Sequence, residues 1–415
     1  MRPSRLLMMV CALAGLALPQ AFTQSVSSQP VRSQSVSTQA EPITEAPASF
    51  DGRSNGFLST TEFEAALEAF EEREFNNGVD GLGPVFNAQA CVECHQSPVT
   101  GGTSQVTELR AGRFDAQRGV FVDHPGGSLI NDRAINAGFQ EVVQAGNDVR
   151  SLRNSIAILG DGFVEAVDSN ALLAISQGQP SSMRGQLIQV PVLEAPGNNR
   201  AGRFGWKNQH ASLQSFSGDA YLNEMGITTP MFPRDNTSNG RAASDNTPDP
   251  EDDGDDLILF ANFMRSTKAP PRDTALAATA DSRAGEQLFS SIGCATCHVA
   301  SLVTAPTGTR INGGAFTVPA ALGSKRIHPF SDYLLHDVGT GDGIVQNGGA
   351  GTRNKLRTVP LWGLRTRSRF LHDGLSVTHN DAILRHAGEA ASVTSRYRGL
   401  SQTQRNQILT FLRSL

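Results

Sequence analysis

The sequence predicts a mainly α-helical fold made of two similar halves, with loop-rich and short β insertions in the first. Two observations carry this. A Cys-x-x-Cys-His run occurs twice, as "CVECH" at 91–95 and "CATCH" at 294–298, each behind an amphipathic stretch with a Phe ahead of the cysteines, Phe86 and Phe289. Each half then closes on an apolar-periodic helix, "DDLILFANFMRSTKAP" or "TQRNQILTFLRSL". Between these ends "LRNSIAILG" answers "LRTVPLWGL", and "GRFGWKNQHASL" answers "SRFLHDGLSVTH". Four matched pairs in one order are the mark of an internal repeat.

At the N terminus, "MRPSRLLMMVCALAGLALPQA" has an arginine-bearing start, an apolar run too short for a bilayer and a Pro-Gln-Ala end. It predicts a secretory signal peptide over 1–21, with Cys11 inside its apolar core. Residues 22–49, rich in Ser, Gln, Thr and Pro, predict a disordered leader. The remaining length suits two domains, 50–270 and 271–415. Residues 161–203 and 231–256 are extra material in the first, with one β-like run, "QLIQVPVL". The second insertion ends in "DNTPDPEDDGDD". Its spacing is not that of an EF-hand, and it reads as a solvated loop whose last aspartates cap the next helix. A net charge of −5 and a pI near 6.0 exclude the basic footprint of nucleic-acid binding. No second apolar run is long enough to span a bilayer.

A Cys-x-x-Cys-His run can attach haem, supply part of a zinc site or act as a redox dithiol. The five cysteines are Cys11, Cys91, Cys94, Cys294 and Cys297, so no thiol outside the runs completes a zinc quartet in the mature chain. In an oxidising compartment a bare dithiol tends to close as a disulfide, whereas a His directly after the second Cys is what covalent haem needs. We therefore read Cys91, Cys94, Cys294 and Cys297 as thioether donors to two c-type haems, with His95 and His298 as iron ligands. A leading helix, a haem run and a closing helix make each half a cytochrome c-like haem domain.

The sixth ligand decides whether an iron carries electrons or meets a small molecule. The methionines are 1, 8, 9, 183, 225, 231 and 264, none of them in the second half. Unless the first half reaches across, the second iron takes His, Tyr or nothing, from His328, His336, His372, His379, His386, Tyr333 and Tyr397. For the first iron there are His124, His210 and the pair Glu224–Met225. His336 and His372 read as braces for backbone or haem propionates.

"FGWKNQHASLQSFSGDAYLNEMG" resembles the corresponding stretch of bacterial di-haem cytochrome c peroxidases and of the related enzyme that matures methylamine dehydrogenase. "DGLGPVFNAQACVECH", "DYLLHDVG", "PLWGL" and "FLHDG" are similar to the branch called di-haem oxidoreductases, or thiol oxidoreductases. The resemblance implies Trp206 as an inter-haem tryptophan, Glu224 as the pocket acid–base group and His386 as sixth ligand of the second haem. It also implies an inter-domain calcium held partly by backbone at Thr358 and Pro360. Phe216 stands where the family has a distal glutamine. The implied enzyme is a periplasmic di-haem oxidoreductase of peroxidase type, whose second haem passes electrons to a catalytic first haem. Its partners would be a small redox protein or a small-molecule electron donor, with hydrogen peroxide as oxidant. Two alternatives stay open: an electron carrier with His124 closing the first iron, and an oxygenase or cofactor-maturing oxidase on the same scaffold. Trp206 also fits as core filling and Glu224 as a surface cap.

Overall fold

In each half a short amphipathic helix crosses the helix that closes that half. The computed structural model describes residues 41–415; the segment expected to be a signal peptide and the expected leader up to residue 40 lie outside the described residues. The first leading helix, Thr60–Glu71, opens on Ser59, which shares a reciprocal capping box with Glu62. It buries Phe63, Ala66 and Phe70, three residues on one face. Phe70 lies 4.6 Å and Phe63 5.8 Å, between ring centroids, from Phe263 of the closing helix Asp255–Ser266. In the second half Ala280–Ser291 crosses Gln402–Ser414, and Phe289 meets Phe411 at 5.2 Å. Their crossing runs over Gly285, where a Cβ would lie 2.0 Å from the carbonyl oxygen of Gln407. Only glycine lets the two backbones come this close.

The expectation of a mainly α fold is overturned: helix makes up 31% and strand 16%, with ten α-helices among the described residues. The largest sheet has four antiparallel strands, with Thr107–Asp115 pairing Val120–Asp123, Leu129–Ile130 and Val149–Asn154. The hairpin at its heart is made by "DAQRG". Asp115 Oδ1 accepts the amides of Gln117 and Arg118, and Gly119 takes a positive φ of 67° and donates to Asp115 O at 2.8 Å. Helix-period reasoning passed over this sheet: its long strand alternates Glu108 and Arg110 with Leu109 and Ala111, but Arg113 and Asp115 fall on the face of Leu109 and break the alternation. The run "QLIQVPVL" does hold a strand, Gln189–Pro191, paired to Asn199–Ala201.

Phe86 is not the counterpart of Phe289. It sits in the strand Val85–Phe86 against Arg133–Ala134. Phe70 takes the equivalent place, 6.3 Å from the ring of His95, as Phe289 stands 5.9 Å from His298. The loop 72–84 separates the first leading helix from its haem run and displaces the match.

Residues 41–49, compositionally part of the leader, are held by the fold: Thr44–Glu45 pairs in parallel with Lys325–Arg326, and Ala48 bridges Ala269. The main core draws on both halves, joining Phe163, Phe204 and Tyr221 to Leu302, Ile327 and Trp362. Each such fully buried side chain contributes about 1.5–3 kcal/mol. No helix among the described residues is long and apolar enough to cross a membrane.

Candidate active site

Two cavities of about 210 and 220 Å³ lie behind the two Cys-x-x-Cys-His runs. Cys91, Cys94 and His95 line the first, Cys294, Cys297 and His298 the second. Each run is one turn of 3-10 helix, which turns both thiols and the histidine towards one side. None of these four cysteines is in a disulfide.

The histidine hydrogen bonds test whether haem fits. His95 Nδ1 lies 3.3 Å from Gly102 O, His298 Nδ1 3.0 Å from Phe330 O and His386 Nδ1 2.8 Å from Ala382 O. A carbonyl only accepts, so Nδ1 carries the proton in all three and Nε2 keeps its lone pair. That is how a metal-binding imidazole is held. His386 lines the second cavity with His298, and after burial it is the charge that most lowers His298, to about 4, so both rings stay neutral. The donor sets therefore fit two c-type haems, and His298 and His386, both lining the second cavity, would be in place to hold the second.

The other candidates divide between the cavities and positions away from both, and Met225 lines the first cavity beside Glu224. His124 is buried but does not line the first cavity, and its Nε2 accepts the backbone amide of Gln144 at 3.2 Å. Its lone pair is taken. His210 pairs with Asp219 at 3.1 Å. His336 lies between two carboxylates, Asp332 at 2.9 Å and Glu389 at 2.7 Å, and so braces the wall. His328 pairs with Glu45 on the surface. Tyr333 is buried away from both cavities, whereas Tyr397 lines the second and its hydroxyl donates to Asn380 at 2.8 Å. His372 and His379 also line the second cavity. Thr358 and Pro360 make a poor calcium site: the Ser331 hydroxyl donates to Thr358 O and the Arg367 guanidinium to Pro360 O at 2.9 Å, which puts a positive charge beside the donors.

Glu224 is in the first cavity, on a π-helical turn, Tyr221–Met225, that continues the helix Leu213–Ala220 and stops at Gly226 with φ 81°. Such π-turns gather at functional sites. Its backbone oxygen accepts the amides of Asn87 and Ala88, just ahead of the haem run, and its Oε2 accepts Asn87 Nδ2 at 2.9 Å. Burial, then the charge of Glu108, pushes its carboxyl up to about 8. Glu108 lies on the first strand of the large sheet. Against burial, Arg110 at 2.8 Å and Arg153 at 3.8 Å hold it below the ordinary range. A charged and a protonated carboxyl thus face the same cavity. Phe216 lines it too, stacked on Phe204 at 6.0 Å.

Trp206 lines both cavities, with Asn154, Ser155, Ile156 and Arg357. Its indole donates to Asn154 O at 2.9 Å, and the ring of His372 stands edge-on at 6.0 Å.

Glu108, Arg110 and Arg153 were missed by sequence reasoning. The signal was the i, i+2 spacing of Glu108 and Arg110, which sets two charges on one strand face, but that needs the strand to be known first.

The family model described as "Di-haem oxidoreductase, putative peroxidase" matches residues 140–415. The chain belongs to this family. The match takes in Trp206, Glu224, the second haem run and His386, while the first run lies ahead of it. The family implies two haems and an oxidoreductase activity. No curated protein matches the chain. Among solved structures, the oxidoreductase is similar to a hydrazine synthase from Kuenenia stuttgartiensis, at 16% identity and a TM-score of 0.41, over 94% of this chain and 100% of that one. It is similar to a MauG-like protein associated with microbial copper homeostasis, at 14% and 0.41, over 91% and 94%. The diheme peroxidase BthA from Burkholderia thailandensis gives 14% and 0.42, over 91% and 95%.

Proposed function

We propose that this di-haem oxidoreductase is a periplasmic enzyme of peroxidase type, with covalent haems on Cys91/Cys94 and Cys294/Cys297. The observation that carries the reading is Glu224: a half-buried acid, its carboxyl pushed up to about 8, in the cavity of His95, where no second histidine reaches. When bound, the two haems supply the one-electron redox chemistry and the site at which an oxidant such as hydrogen peroxide is reduced. His298 and His386 hold the electron-storing side. Trp206 serves as relay, a role supported by its lining both cavities. Reduction of peroxide to two waters takes two electrons, from a small redox protein or small-molecule donor, and two protons. Glu224 Oε2 accepts from Asn87 and its side chain is hydrogen-bonded to Glu108, and the proton it retains would be delivered to the departing oxygen. A positioned acid–base group of this kind contributes about 10²–10⁴-fold. Glu108 stays charged beside Arg110 and keeps that proton on Glu224.

An electron carrier closed by His124 is argued against by the engaged Nε2 of that residue, and one closed by Met225, which lines the first cavity, would show a low-spin first haem. Apolar Phe216 beside Glu224 favours a second reading, oxidation of a bulkier substrate on the same scaffold. Glu224→Gln decides. Peroxide reactivity in stopped flow should fall at least a hundredfold, with two haems by mass and an unchanged second-haem spectrum. Reaction at the parent rate sinks the peroxidase mechanism.

A further inference from the structure

The acidic run ahead of the closing helix does more than cap it. Gly254 is the N-cap residue, and Asp253 and Asp252 accept the amides of Asp255 and Asp256 at 3.2 and 3.3 Å. The earlier part of the run folds back instead. Asp235, Asp245 and Glu251 each present a carboxylate oxygen, and the three lie within 4.8 Å of one another.

Two of these side chains are held in place from behind. Glu251 Oε2 accepts the amide of Thr228 at 2.7 Å and its hydroxyl as well. Its stem lies over Gly81, where a Cβ would stand 2.2 Å from Glu251 Cγ. Asp245 Oδ1 accepts the amide of Thr247 at 2.7 Å. The inward oxygens are left over. Asp245 is only 4% exposed, and its Oδ2 has no hydrogen-bond partner among the described residues. Asp235 Oδ1, Glu251 Oε1 and the Thr247 hydroxyl are buried and unpartnered in the same way. The charges that act on Asp235 are Asp249, Asp245 and Glu251, all acidic, and with burial they push it up to about 7. Buried polar oxygens without donors are costly, and clustered like charges add to the cost.

We propose that Asp235, Asp245 and Glu251, with the Thr247 hydroxyl beside them, form a binding site for a hard divalent cation of the calcium class. The chemistry selects the ion. Every donor is oxygen, which disfavours thiophilic and imidazole-seeking metals. Calcium takes six to eight oxygens at about 2.3–2.6 Å, so two ligands of one ion stand at most about 5 Å apart. A spread of no more than 4.8 Å is compatible with this, whereas magnesium dehydrates reluctantly and is usually held by one or two carboxylates rather than by an all-protein set.

Such an ion would brace the first cavity. Gly83 donates to Met225 O at 3.1 Å and Asp252 to Thr228 O at 3.1 Å, so the cluster joins the turn leading to the first haem run to the segment directly after Glu224.

The test is calcium titration of the chelator-stripped holoprotein by calorimetry, with thermal unfolding followed in parallel. Wild type should bind calcium and rise in Tm, and magnesium at equal concentration should do less. Asp245→Asn and Glu251→Gln keep the shapes and remove a charge. Each should weaken the binding at least tenfold and abolish the calcium-dependent rise in Tm. Stripped Asp245→Asn should be no less stable than stripped wild type, because it relieves repulsion. Asp235→Asn serves as the test if Asp245→Asn fails to fold. No calcium binding by wild type at millimolar concentration overturns the proposal, and so does equal binding by wild type and the amide variants.

Discussion

At the scale of single residues, the site works through which nitrogen or oxygen is already engaged. His95, His298 and His386 all give Nδ1–H to a backbone carbonyl and keep Nε2, while His124 has its Nε2 taken. His386→Ala should therefore turn the second haem high-spin in its electronic spectrum and leave the first unchanged; survival of both spectra would mean that His379, on the same cavity wall, is the ligand. Glu224 predicts a pH dependence with a definite sign. Its carboxyl rises from 4.5 to about 8, so the acid form prevails at neutral pH and is lost above about 8. Peroxide reactivity should fall through that pH in wild type and be low and flat in Glu224→Gln. Linkage runs the same way: the stability contributed by the protonated form is full below about 4.5 and lost as pH rises through about 8. The acid has Glu108, Arg110 and Asp219 around it, so Glu108→Gln should lower the apparent pKa by removing the repelling charge.

At the scale of elements, legibility followed locality. The haem runs and the crossing helices are short-range patterns, and the helices stand where the apolar spacing predicted them. The large sheet does not arise from such a pattern, because Thr107 pairs with Asn154 across the whole intervening chain. With the sheet went Glu108 and Arg110, two of the charges that line the first cavity. His386 was within reach only through resemblance, since five histidines in the second half offered the same side chain. Helix crossing gives a prediction that propensity alone gets wrong. Gly→Ala inside a helix usually gains about 0.8–1 kcal/mol. At Gly285 the new Cβ would meet the backbone of Gln407 at 2.0 Å, and a backbone atom cannot rotate away. Overpacking of this kind costs about 1–3 kcal/mol, so Gly285→Ala should lower the urea midpoint. A raised midpoint would mean the crossing is looser than the geometry states.

At the scale of the whole molecule, the two halves are joined by a buried polar seam as well as by the shared core. Arg153, from the large sheet, meets Asp342 of the second half with Nη2 at 2.6 Å and Nε at 2.9 Å from Oδ2. Lys207 reaches Asp342 Oδ1 at 2.9 Å and donates to the carbonyls of Thr352, Arg353 and Lys355 at 3.0, 3.0 and 2.8 Å. The side chains of Arg153 and Lys207 are 1% exposed and that of Asp342 is fully buried. Replacing such a cluster wholesale by apolar residues can be neutral, but removing one member leaves the others charged and dry. Among the described residues Asp342 is the only anion paired with both Arg153 and Lys207, and both hold its carboxyl below the ordinary range against burial. Asp342→Ala should thus cost about 3–5 kcal/mol, read as a lowered urea midpoint, and Asp342→Asn less, since the amide oxygen still accepts. The same sign follows for pH: a depressed carboxyl stabilises above its unfolded value near 3.8 and loses that contribution as pH falls through its folded value. Wild type should therefore lose stability on acidification where Asp342→Asn does not. Arg153 also lines the first cavity, beside Glu108. Once uncoupled from Asp342 it is free to bind Glu108 more closely, so the Asp342→Asn variant should shift the pH profile of peroxide reactivity with both haems still in place. An unmoved midpoint and profile would reduce the seam to a packing contact.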